Sequence, residues 1–126
     1  MYLSVGNGID EKGASVLAEA LKMHTSLQNL NLRDFSLFSV ENNFGEIGAS
    51  ALAEALKMNT SLQTLELGGN SISEMGASAL AEALKTNTNL RNLNLKGTGI
   101  GEKGASALAE ALRINSSLQT LNVGSM

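Results

Sequence analysis

At 126 residues the chain is sized for one domain with a modest core. Apolar residues make up 43% of it but aromatics only 3%, so leucine and alanine must build that core. A net charge of −3, no cysteine and no polybasic run argue against a nucleic-acid face, a disulfide scaffold, a thiolate metal site and a basic membrane-binding patch.

The chain opens on Met-Tyr-Leu-Ser-Val-Gly-Asn, which has no signal-peptide core, and Tyr2-Leu-Ser-Val5 reads as a partial repeat unit. No apolar run approaches the roughly 18 residues of a membrane span. Gly13-Ala-Ser-Val-Leu-Ala-Glu-Ala-Leu-Lys22 follows, then Leu27-Gln-Asn-Leu-Asn-Leu32. These two segments recur in order. The first returns at Gly48–Lys57, Gly76–Lys85 and Gly104–Arg113, and the second at Leu62–Leu67, Leu90–Leu95 and Leu118–Val123. The spacing from Gly48 to Gly76 and from Gly76 to Gly104 is 28 residues, whereas Gly13 to Gly48 spans 35. The excess is Phe35-Ser-Leu-Phe-Ser-Val-Glu41. Without it, Leu32-Arg-Asp joins Asn42-Asn-Phe-Gly-Glu-Ile-Gly48, as Leu67-Gly-Gly joins Asn70-Ser-Ile-Ser-Glu-Met-Gly76.

The first segment predicts a helix, because Ala77, Leu80, Ala81 and Leu84 fall at i, i+3, i+4, i+7 on one stripe. Glu82 and Lys85, off that stripe and three apart, read as a solvated helix back with weak ion pairs. Asp10, Gly45, Ser73 and Gly101, three residues before each glycine, are expected to be N-caps, each followed by a Glu that suits a helix N-terminus. Eleven residues after each glycine stands His24, Asn59, Asn87 or Asn115. A left-handed helix end is expected there. That structural reading accounts for the only histidine. It also explains the N-x-S sequons at Asn59 and Asn115.

The second segment predicts a short strand with alternating leucines, such as Leu93 and Leu95, preceded by an inward Leu90. Beyond it, Asn7, Asn42, Asn70 and, as the exception, Thr98 are placed to bond backbone groups in a tight loop stacked copy on copy. Ile9, Phe44, Ile72 and Ile100 are expected to point inward two residues later.

The pattern L-x-x-L-x-L-x-x-N-x-I-x-x-x-G-x-x-x-L-A-E-A-L, at 28 residues, resembles the ribonuclease-inhibitor type of leucine-rich repeat, and most of all the C-terminal repeats of NOD-like receptors. The resemblance covers nearly the whole chain. It implies an α/β solenoid of about four repeats: residues 1–126 as one domain, parallel strands on the concave face, helices on the convex face, and a seven-residue insertion at 35–41. Proteins with such repeats are receptors, inhibitors and GTPase-activating proteins, so the fold does not choose the function.

Chemistry is sparse. One histidine, no cysteine and no carboxylate pair outside the helix backs leave no triad and no metal cluster, so neither an enzyme nor a cofactor is expected. Lys96-Gly-Thr-Gly-Ile-Gly-Glu-Lys-Gly104 has glycines between a strand and a helix but lacks the Gly-Lys-Ser/Thr ending of a phosphate loop.

A protein partner fits better, since the inner face of a solenoid is its usual contact surface. Strand residues between the leucines should point there. The candidates with reach or polarity are Arg33, Glu66, Arg91, Asn92, Asn94 and Lys96. Phe35, Leu37 and Phe38 in the insertion are further candidates. That loop either folds back on its neighbours, contacts a partner or another copy, or is an accident of the gene. The expected function is a cytoplasmic protein-interaction module that can be a piece of a larger receptor or scaffold. The alternatives are a regulator of a small GTPase and a structural array without a ligand. Ends that lack polar capping repeats add an expectation of self-association, through those ends or through the 35–41 loop.

Overall fold

The computed structural model describes residues 2–4, 11–23, 26–33 and 45–124. Strands and helices alternate: β1 (Tyr2–Ser4), α1 (Glu11–Met23), β2 (Asn29–Asn31), α2 (Gly45–Met58), β3 (Thr64–Glu66), α3 (Ser73–Leu84), β4 (Asn92–Asn94), α4 (Gly101–Ile114) and β5 (Thr120–Asn122). The strands form one parallel sheet in chain order, β1-β2-β3-β4-β5. Each helix packs on the next, so the architecture is an α/β repeat solenoid.

Register is uniform. Leu3, Leu30, Leu65, Leu93 and Leu121 pair in one row across the sheet. Of these, Leu30, Leu65 and Leu93 are buried between sheet and helices. The helix stripe Ala77, Leu80, Ala81 and Leu84 is buried as its spacing predicts, with Ala83 added to it. Ile72 and Ile100 are fully buried, whereas Ile9 and Phe44 lie outside the described residues. The recurring helix glycine has a packing cause. A Cβ on Gly104 would lie 2.9 Å from the Ala77 Cβ one unit back and 3.0 Å from the Ile100 Cβ. Only glycine lets successive helices approach this closely.

Both ends of the helices depart from expectation. Ser73 and Gly101 are not side-chain caps. The capping positions are Ile72 and Ile100, neither with a side-chain cap bond. Gly45, Ser73 and Gly101 instead adopt left-handed backbone, with φ of 60°, 69° and 64°. The neighbouring units take up the polar groups of Ser73: its N–H, with that of Ile72, donates to the Thr98 carbonyl at 3.1 Å, and its hydroxyl donates to Glu46 Oε2 at 2.9 Å rather than serving its own helix. Asp10 lies outside the described residues.

At the C-terminal ends the asparagines are not left-handed. Among described non-glycine residues only Ser73 has positive φ, and Asn115 is extended at φ −76°, ψ 126°. Their side chains form a ladder. The amide nitrogen of Asn59 donates to the Leu21 carbonyl (2.7 Å), that of Asn87 to Leu56 (2.8 Å) and that of Asn115 to Leu84 (2.8 Å). Each oxygen accepts from the backbone N–H groups two and three residues on. One side chain therefore satisfies a terminal carbonyl of the preceding helix and also shapes the turn into its own strand. These bonds also occupy the amide nitrogens of both sequons. His24, in the same register, lies outside the described residues.

The loop position before each helix meets its expectation where it is described. The Asn70 side-chain nitrogen donates to the carbonyls of Leu32 and Leu67, and the Thr98 hydroxyl donates to Leu95 (2.6 Å). Asn7, Asn42 and the whole insertion 35–41, with Phe35, Leu37 and Phe38, lie outside the described residues.

Candidate protein-binding surface

Alternation in each strand sends leucines into the core and the residues between them to the open face of the sheet. Parallel register stacks those residues in rows. One row is Asn29, Thr64, Asn92 and Thr120; the next is Asn31, Glu66, Asn94 and Asn122. A third lies just past the strands: Arg33, Gly68, Lys96 and Gly124, held in register by bonds such as Gly69 N–H to the Lys96 carbonyl (3.0 Å).

The first two rows enclose a shallow groove of about 240 Å³ over Leu93, walled by Thr64 and Glu66 on one side and Thr120 and Asn122 on the other, with Asn92 and Asn94 between. Hydrogen bonds across strands set its polar groups. The Asn94 amide donates to Glu66 Oε2 at 2.7 Å, and Asn92 donates to the Thr64 hydroxyl at 3.3 Å. Asn31, Asn94 and Asn122 each accept on Oδ1 from the backbone N–H two residues on, at 2.9–3.0 Å. Short polar side chains are thus fixed before any ligand arrives, which lowers the ordering cost of binding.

Of the sequence candidates, Glu66, Asn92 and Asn94 come together in this groove. Arg33 and Lys96 stand in the third row, either side of Gly68. Arg91 does not belong to the face: its guanidinium donates to the Ser117 carbonyl at 3.3 Å, toward the loop that precedes β5. Its place just before β4 is the reason, because the alternation that aims Asn92 and Asn94 outward turns Arg91 aside. Thr64, Thr120 and Asn122 complete the groove. The strand alternation identifies them as face residues, but nothing in their chemistry sets them apart.

The helix backs carry the expected i, i+3 ion pairs: Lys22–Glu19, Lys57–Glu54, Lys85–Glu82 and Arg113–Glu110, at 2.8–3.3 Å. The hydrogen bond from Lys85, reinforced by its charge, holds the Glu82 carboxyl below its ordinary range, and the same contact raises Lys85. Among the described residues no His/Cys/Asp/Glu group is arranged to hold a metal, and no helix is long and apolar enough to cross a membrane.

Residues 59–81 and 86–109 each match the family described as Leucine Rich repeat. No curated protein sequence matches the chain. Among solved structures, the chain is similar to leiomodin-1 actin-binding site 2, with a TM-score of 0.85 and 25% identity over 97% of this chain and 69% of that one. The tropomodulin C-terminal domain of Caenorhabditis elegans has a TM-score of 0.80 at 14% identity, over 97% of this chain and 72% of that one. The fold is a leucine-rich-repeat solenoid.

Proposed function

We propose that residues 1–126 act as one non-catalytic, cytoplasmic protein-interaction module that presents the open face of its sheet to another protein. The observation that carries this is the groove around Asn92 and Asn94, whose polar groups are pre-set by cross-strand hydrogen bonds. The likeness to a leiomodin-1 domain named as an actin-binding site supports a protein partner and makes actin the first one to test. Kinship with NOD-like receptors and regulation of a small GTPase are readings of the repeat pattern alone; the two solved structures above are of neither kind.

The test is co-sedimentation of the intact chain with actin, alongside a groove-filling variant, Asn92→Arg with Thr120→Arg. Binding by the parent chain and loss in the variant are expected. Equal binding by both would move the contact off the open face.

A further inference from the structure

Among the described residues the open face is neutral except at one acidic and two basic positions, and their arrangement specifies a ligand. Where the second row has Asn31, Asn94 and Asn122, the third strand has Glu66. Its Oε2 accepts from Asn94, while Oε1 has no hydrogen-bond partner among the described residues, and the residue lines the groove. Two residues further along the strands, about 7 Å away, lies the third row. Here Arg33 and Lys96 flank Gly68, their backbones about 10 Å apart at the usual strand spacing. Gly68 supplies no side chain, and the Arg33 guanidinium extends over it: its Nε would be 3.4 Å from a Cβ placed there. The Lys96 side chain is exposed and makes no ion pair among the described residues. The face therefore carries a negative site beside two positive side chains, with Arg33 lying across the buried Gly68 toward Lys96.

We propose that this face binds an extended peptide segment through a pair of opposite charges: a lysine or arginine of the ligand at Glu66, and a carboxylate of the ligand against the side chains of Arg33 and Lys96. The proposal rests on the reading of the open face as a binding surface. An extended chain places residues i and i+2 on one side at about 7 Å, which matches the separation of the two sites. A basic and an acidic residue with one residue between them fit both. A ligand with two like charges meets repulsion at one site, which gives selectivity.

The experiment selects a random twelve-residue peptide library displayed on phage against the intact chain, then measures the enriched peptides by fluorescence anisotropy. Three variants are compared with the parent: Glu66→Gln, Arg33→Gln with Lys96→Gln, and the groove-filling Asn92→Arg with Thr120→Arg. Glu66→Gln keeps the acceptor for Asn94, so the fold is preserved. Enriched peptides should share a basic residue two positions from an acidic one. They should lose at least about tenfold in affinity on Glu66→Gln, lose several-fold on the double cation variant, and weaken with added salt. Peptides that need the open groove but tolerate Glu66→Gln would overturn the charge-pair proposal and leave the binding-face reading intact. Peptides indifferent to all three variants would overturn both.

Discussion

Asn87 donates its side-chain amide to the carbonyl of Leu56, one repeat back, at 2.8 Å, while its own oxygen accepts from Asn89 N–H at 2.9 Å and Leu90 N–H at 2.8 Å. The residue is buried. One side chain therefore couples two repeats, the amide nitrogen also reaching the Asn59 carbonyl at 3.4 Å.

Asn87→Ala should destabilise the chain by at least about 2 kcal/mol, because it strands buried backbone donors and an acceptor together. Asn87→Asp should also destabilise, since a carboxylate oxygen would face the Leu56 carbonyl. Asn115→Ala should cost less, its site being only half-buried. Urea titrations of the three variants give the comparison; equal losses at Asn87 and Asn115 would contradict it.

Ser73 is held at φ 69°, a conformation that costs an L residue about 1–2 kcal/mol. Its hydroxyl recovers part of this by donating to Glu46 Oε2 at 2.9 Å, an exposed bond. Ser73→Gly should therefore leave stability unchanged or raise it by up to about 1 kcal/mol. Gly101→Ala should be destabilising, because its φ of 64° in the next unit strains any L side chain, while the Glu74 carboxylate that the new Cβ would meet can swing away. Thermal melts should move in opposite directions, and a lower melting temperature for Ser73→Gly would contradict the strain argument.

The same two positions mark what the sequence makes legible. The periodicity of Leu80 and Leu84, and the alternation of Leu93 and Leu95, are properties of a single segment, and burial follows them. The roles of Ser73 and Asn87 are not local. Ser73 is chemically a good N-cap, yet its hydroxyl is directed to Glu46 of the preceding unit. Asn87 is suited to a left-handed helix end, yet the Leu56 carbonyl of the preceding unit recruits its side chain. Local propensity gives way where a neighbouring repeat offers a better partner. The candidate site divides the same way. Register brings Glu66, Asn92 and Asn94 together as alternation implies, but the lie of Arg33 across Gly68 depends on which residues neighbouring strands contribute.

Helix faces can be tested by contrast. Leu80 is fully buried, and Leu80→Ala should cost about 2–5 kcal/mol through a cavity between units. Glu82→Gln should barely move the melting temperature, since its pair with Lys85 is solvent-exposed. The pH dependence has a definite sign. Glu82 is held below its ordinary range, so any contribution of the pair is present above that range and fades as pH falls through the lowered value. Lys85 is raised, so the contribution is lost at the alkaline end as pH rises through the raised value. The difference between parent and Glu82→Gln should be small and flat near neutrality and vanish in acid. A difference that grows in acid, or a Glu82→Gln loss as large as that of Leu80→Ala, would contradict the assignment of faces.

The insertion can be tested from its flanks. Leu32 on its N-terminal side is buried and bonds to the Glu66 carbonyl at 2.8 Å, as Leu67 bonds to Asn94 at 2.9 Å. On its C-terminal side, α2 buries Ala49, Leu52, Ala53 and Leu56, as α3 buries the equivalent Ala77, Leu80, Ala81 and Leu84. The repeat frame is thus the same on both sides of the seven residues. Deleting 35–41 restores 28-residue spacing and should leave a folded, cooperative solenoid by circular dichroism and urea titration. The size and sign of the stability change report what the loop's apolar residues do. Burying Phe35, Leu37, Phe38 and Val40 would contribute roughly 1.5–3 kcal/mol each, so a fold-back loop predicts a loss of several kcal/mol on deletion. A contact loop predicts no loss, and predicts that Phe35→Ser with Phe38→Ser abolishes partner binding or self-association at an unchanged melting temperature. Failure of the deleted chain to fold would show that the insertion belongs to the repeat frame.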